Sequence, residues 1–423
     1  VNEHILLVHE GVAGGIDYDH AVLHHRKSLG VDHPLCGIER GDVDRDEVAV
    51  AVYRLDALAV PDRAAEVPRR IDGKERIEPI DFHAEGDRRV RDFLPDGAKT
   101  DDAELLAPAG DMECLKTAVR FGADAVYIGG PMLQLRADSV GFTKEGVAEA
   151  AAYAHAHGVK LYVTVNCFAK NEEIDAAEEY ARFLQKSGVD AVIVSDLGLI
   201  SAIHEAAPEL SIHVSTQANC TNFRSALVYR SMGAERVVLA REMTLEEIRE
   251  LRRRVPEDME IEAFIHGAMC MSYSGRCMIS SFLTGRSGNR GRCAQPCRQP
   301  YTVLGQEAGG GRTGRKSQQK PPAYPLSLKD LCVLPFLPEL MDAKIDSFKI
   351  EGRMKSPEYV AGVTAIYRKY MDLYLTDREH WQIDPKDQEL LAKLYVRSET
   401  GGGYYHRHNG REMLTLESPA YSE

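Results

Sequence analysis

A (β/α)8 barrel of the TIM type, carrying a Cys/Arg-rich insertion after its seventh strand, is the fold class this sequence predicts. Three observations lead there. From Glu104 onward, short β-branched segments alternate with helical ones, eight of each. The strand segments are apolar on both faces, as a parallel sheet covered by helices requires. Polar residues gather just where those strands end, the edge at which such barrels carry their chemistry. A doubly wound open sheet shares the first two features and stays open as the competing arrangement.

The elements follow in order. ELLAPAG is the first strand and DMECLKTAVRFG a helix stopped by Gly122. ADAVYIGG is the second strand; TKEGVAEAAAYAHAHG is a helix with a Thr143 cap and a Gly158 stop. KLYVTVNC, VDAVIVSD, LSIHVSTQAN, ERVVLAR and MEIEAFIHG continue the strands. Helices EEIDAAEEYARFLQKSG, LGLISAIHEAAP, NFRSALVYRSMG and TLEEIRELRRRV lie between them. After the insertion come a helix near LPFLPELMDAK, the eighth strand IDSFKIEG and the helix PEYVAGVTAIYRKYMDLYL. The barrel spans 103–378, with the insertion at 267–328 and a tail segment at 379–423. Within the insertion YTVL and YPLSL predict a β-hairpin, joined by a Gly-rich basic loop. Residues 1–102 are rich in Asp, Arg, Val and His, hold no sustained period, and begin with Val1. They predict a poorly ordered extension, arising from a start placed too far upstream.

The bulk numbers exclude several function classes. A formal charge of -13 argues against a generally basic DNA binder and leaves room for a local basic patch. No export signal and no run of about 18 apolar residues is present, which predicts a cytoplasmic protein with no membrane partner. Nine cysteines in such a chain point to metal or catalysis rather than disulfides. Cys36, Cys114, Cys167, Cys220 and Cys332 are scattered singly and read as small buried hydrophobes.

The other four, Cys270, Cys277, Cys293 and Cys297, share one stretch with the spacing C-x6-C-x15-C-x3-C. Four thiolates suit an iron–sulfur cluster or a structural zinc. Zinc sites usually pair ligands two to four residues apart, so this spacing favours the cluster and leaves zinc second. Arg276, Arg286, Arg290, Arg292 and Arg298 lie in the same stretch, and no acidic residue falls between Cys270 and Pro300. Guanidinium forks among glycines suit phosphate oxygens, which predicts contact with an RNA backbone. Arg312, Arg315, Lys316 and Lys320 extend the patch. Tyr273 and Tyr301 are placed either to stack on unpaired bases or to pack against the insertion. His406 and His408, near the C terminus, fit RNA or metal binding, but a surface tail packed on the barrel is the preferred reading.

At the strand ends the candidate catalytic residues are Asn166, Gln217, Arg241, His266, Lys349, Glu351 and Arg353. Lys349, Glu351 and Arg353 alternate after the last strand and read either as an ion-pair network or as a pocket for a small carboxylate. Asp196, Asn219 and Glu242 occupy the same edge. Hydrolytic motifs are missing: there is no G-x-S-x-G elbow and no H-E-x-x-H pair.

The run EAFIHGAMCMSYSGRCMIS, residues 262–280, resembles the signature of the collagenase-like peptidase family of unassigned mechanism, peptidase U32. The likeness extends from about Glu104 to the last barrel helix through ELLAPAG, GADAVYIGG, STQAN, VVLARE and KIEGRMKSPEYV, and leaves out residues 1–102. Despite its name, this family includes RNA hydroxylases. The likeness is strongest to the prephenate-dependent hydroxylases of tRNA uridine-34, which make 5-hydroxyuridine. Sibling groups hydroxylate a 23S rRNA cytidine or support ubiquinone hydroxylation. The resemblance implies a 4Fe–4S cluster on Cys270, Cys277, Cys293 and Cys297, prephenate as co-substrate, and tRNA as partner. The ribosomal type usually runs longer at its C terminus, which tips the expectation toward tRNA. A collagenase-like peptidase and a non-catalytic RNA-binding accessory protein are the rival expectations.

Overall fold

The computed structural model describes residues 6–9, 103–136, 141–304, 324–394, 397, 399–407, 410–415 and 418. All but the end of the short strand Leu6–His9 belong to one unit, whose main span is Arg91–Glu423; of the other, Val8–Val90, only that strand end is described. The expected disorder of 1–102 therefore falls outside the described residues, that strand apart. So do Arg312, Arg315, Lys316, Lys320 and His408.

Eight parallel strands close into a barrel. They are β1 Glu104–Pro108, β2 Ala125–Gly129, β3 Lys160–Val165, β4 Ala191–Val194, β5 Ser211–Val214, β6 Ala234–Val238, β7 Glu260–Gly267 and β8 Ser347–Ile350. Neighbours in sequence pair from β1 to β7. β8 completes the ring, with Ser347 level with Glu262 on β7 and with Glu104 on β1. Closure rules out the open-sheet alternative.

One helix follows each strand: α1 Met112–Arg120, α2 Lys144–Ala156, α3 Ile174–Lys186, α4 Leu197–Ala206, α5 Phe223–Ser231, α6 Leu245–Arg254, α7 Leu337–Asp342 and α8 Pro357–Thr376. The starts of α1, α2, α4, α5 and α6 are set by short polar side chains that satisfy free N–H groups of the first turn. Asp111 accepts from Cys114 N at 2.8 Å and Thr143 from Gly146 N at 3.1 Å. Gly122 and Gly158 end α1 and α2 with φ of 94° and 69°, a region that disfavours side chains. The main apolar core lies between strands and helices and includes Leu105, Ile128, Leu161, Val192, Phe348 and Tyr367.

The barrel lumen is filled differently. Leu106, Ala125, Tyr127, Tyr162, Ala191 and Ile193 form a separate small cluster. Beside them lies a buried ion network. Arg236 on β6 reaches Glu104 on β1 at 2.6 Å and Glu262 on β7 at 3.2 Å. β6 and β1 are not paired, so the first contact crosses the lumen. Lys349 Nζ lies 2.7 Å from the other oxygen of Glu262, and its ammonium faces the Tyr127 ring at 4.4 Å. Tyr162 and Ser347 donate to Glu104 at 2.6 and 2.9 Å. Each buried charge thus has an opposite partner, and Glu104 accepts further hydrogen bonds, the condition under which such a network is tolerated.

The insertion leaves from the end of β7 and returns beside it. Asp330–Cys332 runs antiparallel to β7, Leu331 opposite Gly267 and Cys332 opposite His266. The expected hairpin is a correction: Tyr301–Leu304 is a strand, but Leu328 of YPLSL bridges to Leu414 in the tail. The tail packs onto the barrel too. Thr400–Gly401 pairs with Asp330–Leu331, and buried Tyr405 donates to Phe264 O at 2.6 Å. No helix among the described residues is long and apolar enough to cross a membrane.

Truncating Glu262 to Ala leaves Lys349 and Arg236 short of a partner in a buried lumen. We expect a loss of about 3–5 kcal/mol in urea unfolding, against a much smaller loss for a surface pair such as Glu389→Ala.

Candidate active site

Above the lumen network, side chains from three strand ends converge on Glu351. Arg136, on the loop after β2, lies 2.9 Å from one carboxylate oxygen; Arg241, after β6, lies 3.5 Å from the other. Arg241 also donates to Ala268 O at 2.6 Å and stacks on Phe264 at 3.7 Å. Arg353 donates to Gln134 at 3.0 Å and Thr164 at 2.8 Å. Burial alone would raise the Glu351 carboxyl, but Arg136, Arg241, Arg353 and Lys349 hold it down at about 2. Burial, aided by Arg136, lowers Arg353 to about 10. Burial also holds the Lys355 ammonium, four residues beyond Glu351, down at about 8. Three guanidinia thus face one carboxylate, a pre-formed setting for an anionic ligand.

The candidate catalytic residues divide into three groups. Arg241, Glu351 and Arg353 form this mouth, with Lys349 one layer below and engaged with Glu262. Asn166 and Gln217 form a polar pair beside it: Asn166 donates to Gln217 at 3.4 Å and accepts from Leu135 N at 3.2 Å, while Ser215 donates to Gln217 at 2.8 Å. His266 turns away. Its ring packs against Tyr359 and Tyr367 of α8, its Nδ1 is 3.3 Å from the Tyr367 hydroxyl, and burial lowers it to about 4. A register shift between β7 and β8 at this point accompanies that turn. Arg136, Gln134 and Thr164 were missed in the sequence. Reading the polar residues of the loops, not just the last residues of the strands, would have found Arg136.

The insertion lies on this same edge as a lid, tied to the barrel by residues of the strand-end set. Asn219 donates to Tyr273 O at 3.0 Å, and Glu242 accepts from Ser274 N and Oγ at 2.6 and 2.5 Å. Arg276 donates to Gln217 O at 2.6 Å. Arg290 pairs with both oxygens of Glu173, at 2.5 and 2.8 Å, and also bonds Phe168 O. Asp196 caps α4, accepting from Leu199 N at 3.1 Å.

All four lid cysteines occupy one neighbourhood. The Cys293 thiol is pushed up by desolvation and by Cys270 and Cys277, while the Gln295 N–H and Arg136 oppose the rise. Burial takes Cys297 to about 11, with Cys270 and Cys293 adding to it. Backbone N–H groups point at two of the sulfurs, Ile279 N at Cys277 and Gln295 N at Cys293, both at 3.4 Å. Four thiols with amide donors form a donor set suited to a thiolate-ligated metal centre. As placed, no three His, Cys, Asp or Glu side chains among the described residues form a ready-made cage. Arg136 acts on both Glu351 and Cys293, so the mouth and the cysteine lid adjoin.

The arginine set also divides. Arg276, Arg286 and Arg292 are exposed on the lid. Arg290 is half-buried in its pair with Glu173. Arg298 is a correction to the expected RNA-contacting set: it is 2% exposed and donates to Ser327 Oγ, Leu328 O and Met269 O, holding both ends of the insertion together. Tyr273 is exposed, whereas Tyr301 is buried and donates to Pro296 O at 2.9 Å.

Residues 110–415 match the profile of peptidase family U32, a span that takes in every mouth and lid residue above. A tRNA hydroxylation protein of Bacillus subtilis is 44% identical over 298 residues, covering 70% of each chain. An uncharacterized protease of Methanocaldococcus jannaschii is 42% identical over 305 residues, 71% of this chain and 73% of that protein. The 23S rRNA 5-hydroxycytidine synthase of Escherichia coli is 40% identical over 275 residues, 65% of this chain and 40% of that protein.

The depressed Glu351 carboxyl has a pH consequence. Its folded value lies below the ordinary 4.5, so its ion pairs contribute stability above about pH 4.5, and that contribution fades as pH falls toward 2. We expect Glu351→Gln to be less stable than wild type by about 3 kcal/mol at pH 7. In denaturant titrations across pH, the gap between the two proteins closes between pH 4.5 and 2.

Proposed function

The chain belongs to peptidase family U32, and from that membership we propose that it is an RNA-hydroxylating enzyme, acting on C5 of the wobble uridine of tRNA. The observation that carries this reading is the mouth itself: three guanidinia facing one carboxylate, beside a lid bearing four thiols. Relatives whose names state tRNA hydroxylation or rRNA hydroxycytidine synthesis support RNA as the substrate class.

Each part of the site takes a role. Cys270, Cys277, Cys293 and Cys297 hold a 4Fe–4S cluster, which when bound supplies one-electron transfer next to the mouth. Arg136, Arg241 and Arg353 bind a small co-substrate. The imbalance of cations over Glu351 suits a ligand with two carboxylates, and prephenate is of that kind. Lys349, paired with Glu262 below, fixes the floor of the pocket. Asn166 and Gln217 offer amide groups to the edge of a base. Arg276, Arg286 and Arg292 contact phosphates, and Tyr273 stacks on an unpaired base; anticodon-loop bases are unpaired and can be splayed into the mouth.

A peptidase reading finds less support. Among the described residues the ring nitrogens of histidines bond Asp190, Asp377, Tyr367 and a backbone carbonyl, and none bonds a serine or cysteine as a nucleophile–base pair requires.

Mass spectrometry of nucleosides from total tRNA and rRNA of a deletion strain tests this function. We expect 5-hydroxyuridine derivatives to disappear from tRNA and to return with the wild-type gene, but not with Cys277→Ala. Unchanged tRNA and rRNA, or full rescue by Cys277→Ala, contradicts the reading; loss of hydroxycytidine from rRNA moves the substrate to the ribosome. Arg241→Ala should lower product at least about 10-fold, the worth of one lost charge-assisted contact.

A further inference from the structure

We infer that the short lid helix Ile279–Thr284 is a stacking platform for unpaired nucleotides, with Phe282 as the ring on which a base packs; this rests on the RNA reading above. Phe282 is 79% exposed, more than any other large hydrophobic side chain described. Met271, Tyr273, Met278, Ile279 and Leu283, all within the same stretch, are exposed as well. Single exposed apolar residues are ordinary on protein surfaces, but six within thirteen positions of one segment mark a binding surface.

The platform is held in place. Ser280, on the opposite side of the helix, is 1% exposed. Its hydroxyl donates to Arg286 O at 2.6 Å and accepts from Ala294 N at 2.9 Å. Thr284 Oγ1 donates to Ser280 O at 2.7 Å, and Asn289 donates to Cys277 O at 3.0 Å. The outward ring is thus presented by a turn whose inner side is fixed between Cys277 and Cys293.

Charge selects the occupant. Exposed Arg276, Arg286 and Arg292 flank the apolar surface, and no Asp or Glu occurs from Cys270 to Pro300. A polyanion that also offers flat apolar faces matches this combination, and single-stranded RNA is such a polymer. Fully paired RNA offers the charge without the faces, since its bases are stacked on one another. Tyr273 supplies a second exposed ring in the same stretch.

The test uses the full-length holoprotein and two labelled RNAs of equal charge: an anticodon stem–loop and a fully paired duplex. Dissociation constants are measured by fluorescence anisotropy over a salt series. We expect Phe282→Ala to weaken stem–loop binding about 10- to 100-fold, with duplex binding unchanged and Phe282→Trp close to wild type. The salt slope of stem–loop binding stays as in wild type, because no phosphate contact is lost. The visible absorbance of the protein stays the same in both variants, which separates a lost ring from a damaged lid. Wild-type affinity in Phe282→Ala overturns the inference and leaves the RNA reading standing. So does an equal loss on both RNAs. Wild-type protein that binds neither RNA defeats both together.

Discussion

The salt bridges of Arg236 across the barrel lumen are the constraint on which the rest of the site depends. Eight-stranded barrels usually fill their interior with branched aliphatic side chains in layers. Here one layer is ionic: Arg236 joins Glu104 and Glu262, and Glu262 in turn holds Lys349. Glu262 is fully buried, and desolvating such a carboxylate is costly unless both oxygens are engaged. Both are, each by a different cation. Strands β1, β6, β7 and β8 are thereby fixed in relative height by bonds that tolerate little displacement. Lys349 is committed to this layer, so the mouth above it is defined by guanidinia and Glu351.

Chemistry at the mouth follows from that fixed floor. Arg136, Arg241 and Arg353 crowd one carboxylate and are themselves anchored, Arg353 by Gln134 and Thr164, Arg241 by a backbone carbonyl and an aromatic face. Donors anchored before a ligand arrives need no reorganisation when it binds. The lid then closes the arrangement from one side. Its attachment points are Asn219, Glu242, Gln217 and Glu173, each on the loop after a strand, so the positions of the cysteines are set by the barrel rather than by the lid alone. Arg298 does the same work from within, clasping the start and the end of the insertion. On the proposed reading, RNA contacts the lid's outer face, while the small anion is held by the guanidinia of the barrel mouth beneath it.

Much of this was legible in the sequence, and the exceptions have physical causes. The alternation of apolar runs with capped helices located every barrel strand, because burial on both faces leaves a strong signal in residue choice. Thr143 and Gly158 marked a helix through local backbone chemistry that needs no tertiary partner. What failed were side chains whose roles depend on long-range contact. Arg298 looks the same as Arg286 in the sequence, yet one is buried against Met269 and Leu328 while the other is exposed. His266 sits at a strand end, but its ring packs against Tyr359 and Tyr367 of α8, a contact the sequence does not show. YPLSL has hairpin composition, yet Leu328 finds its partner 86 residues away at Leu414. Phe282 attracted no notice, since a lone Phe in a short helix reads as core until its exposure is known.

Iron K-edge X-ray absorption of the anaerobically purified protein tests the centre most directly. The predicted spectrum has sulfur alone in the first shell and a short iron–iron vector in the second, both lost when Cys270 or Cys293 is replaced by Ser. A shell of nitrogen and oxygen, or a protein that carries zinc and no iron, contradicts the assignment of the four lid thiols to a redox cluster beside the mouth.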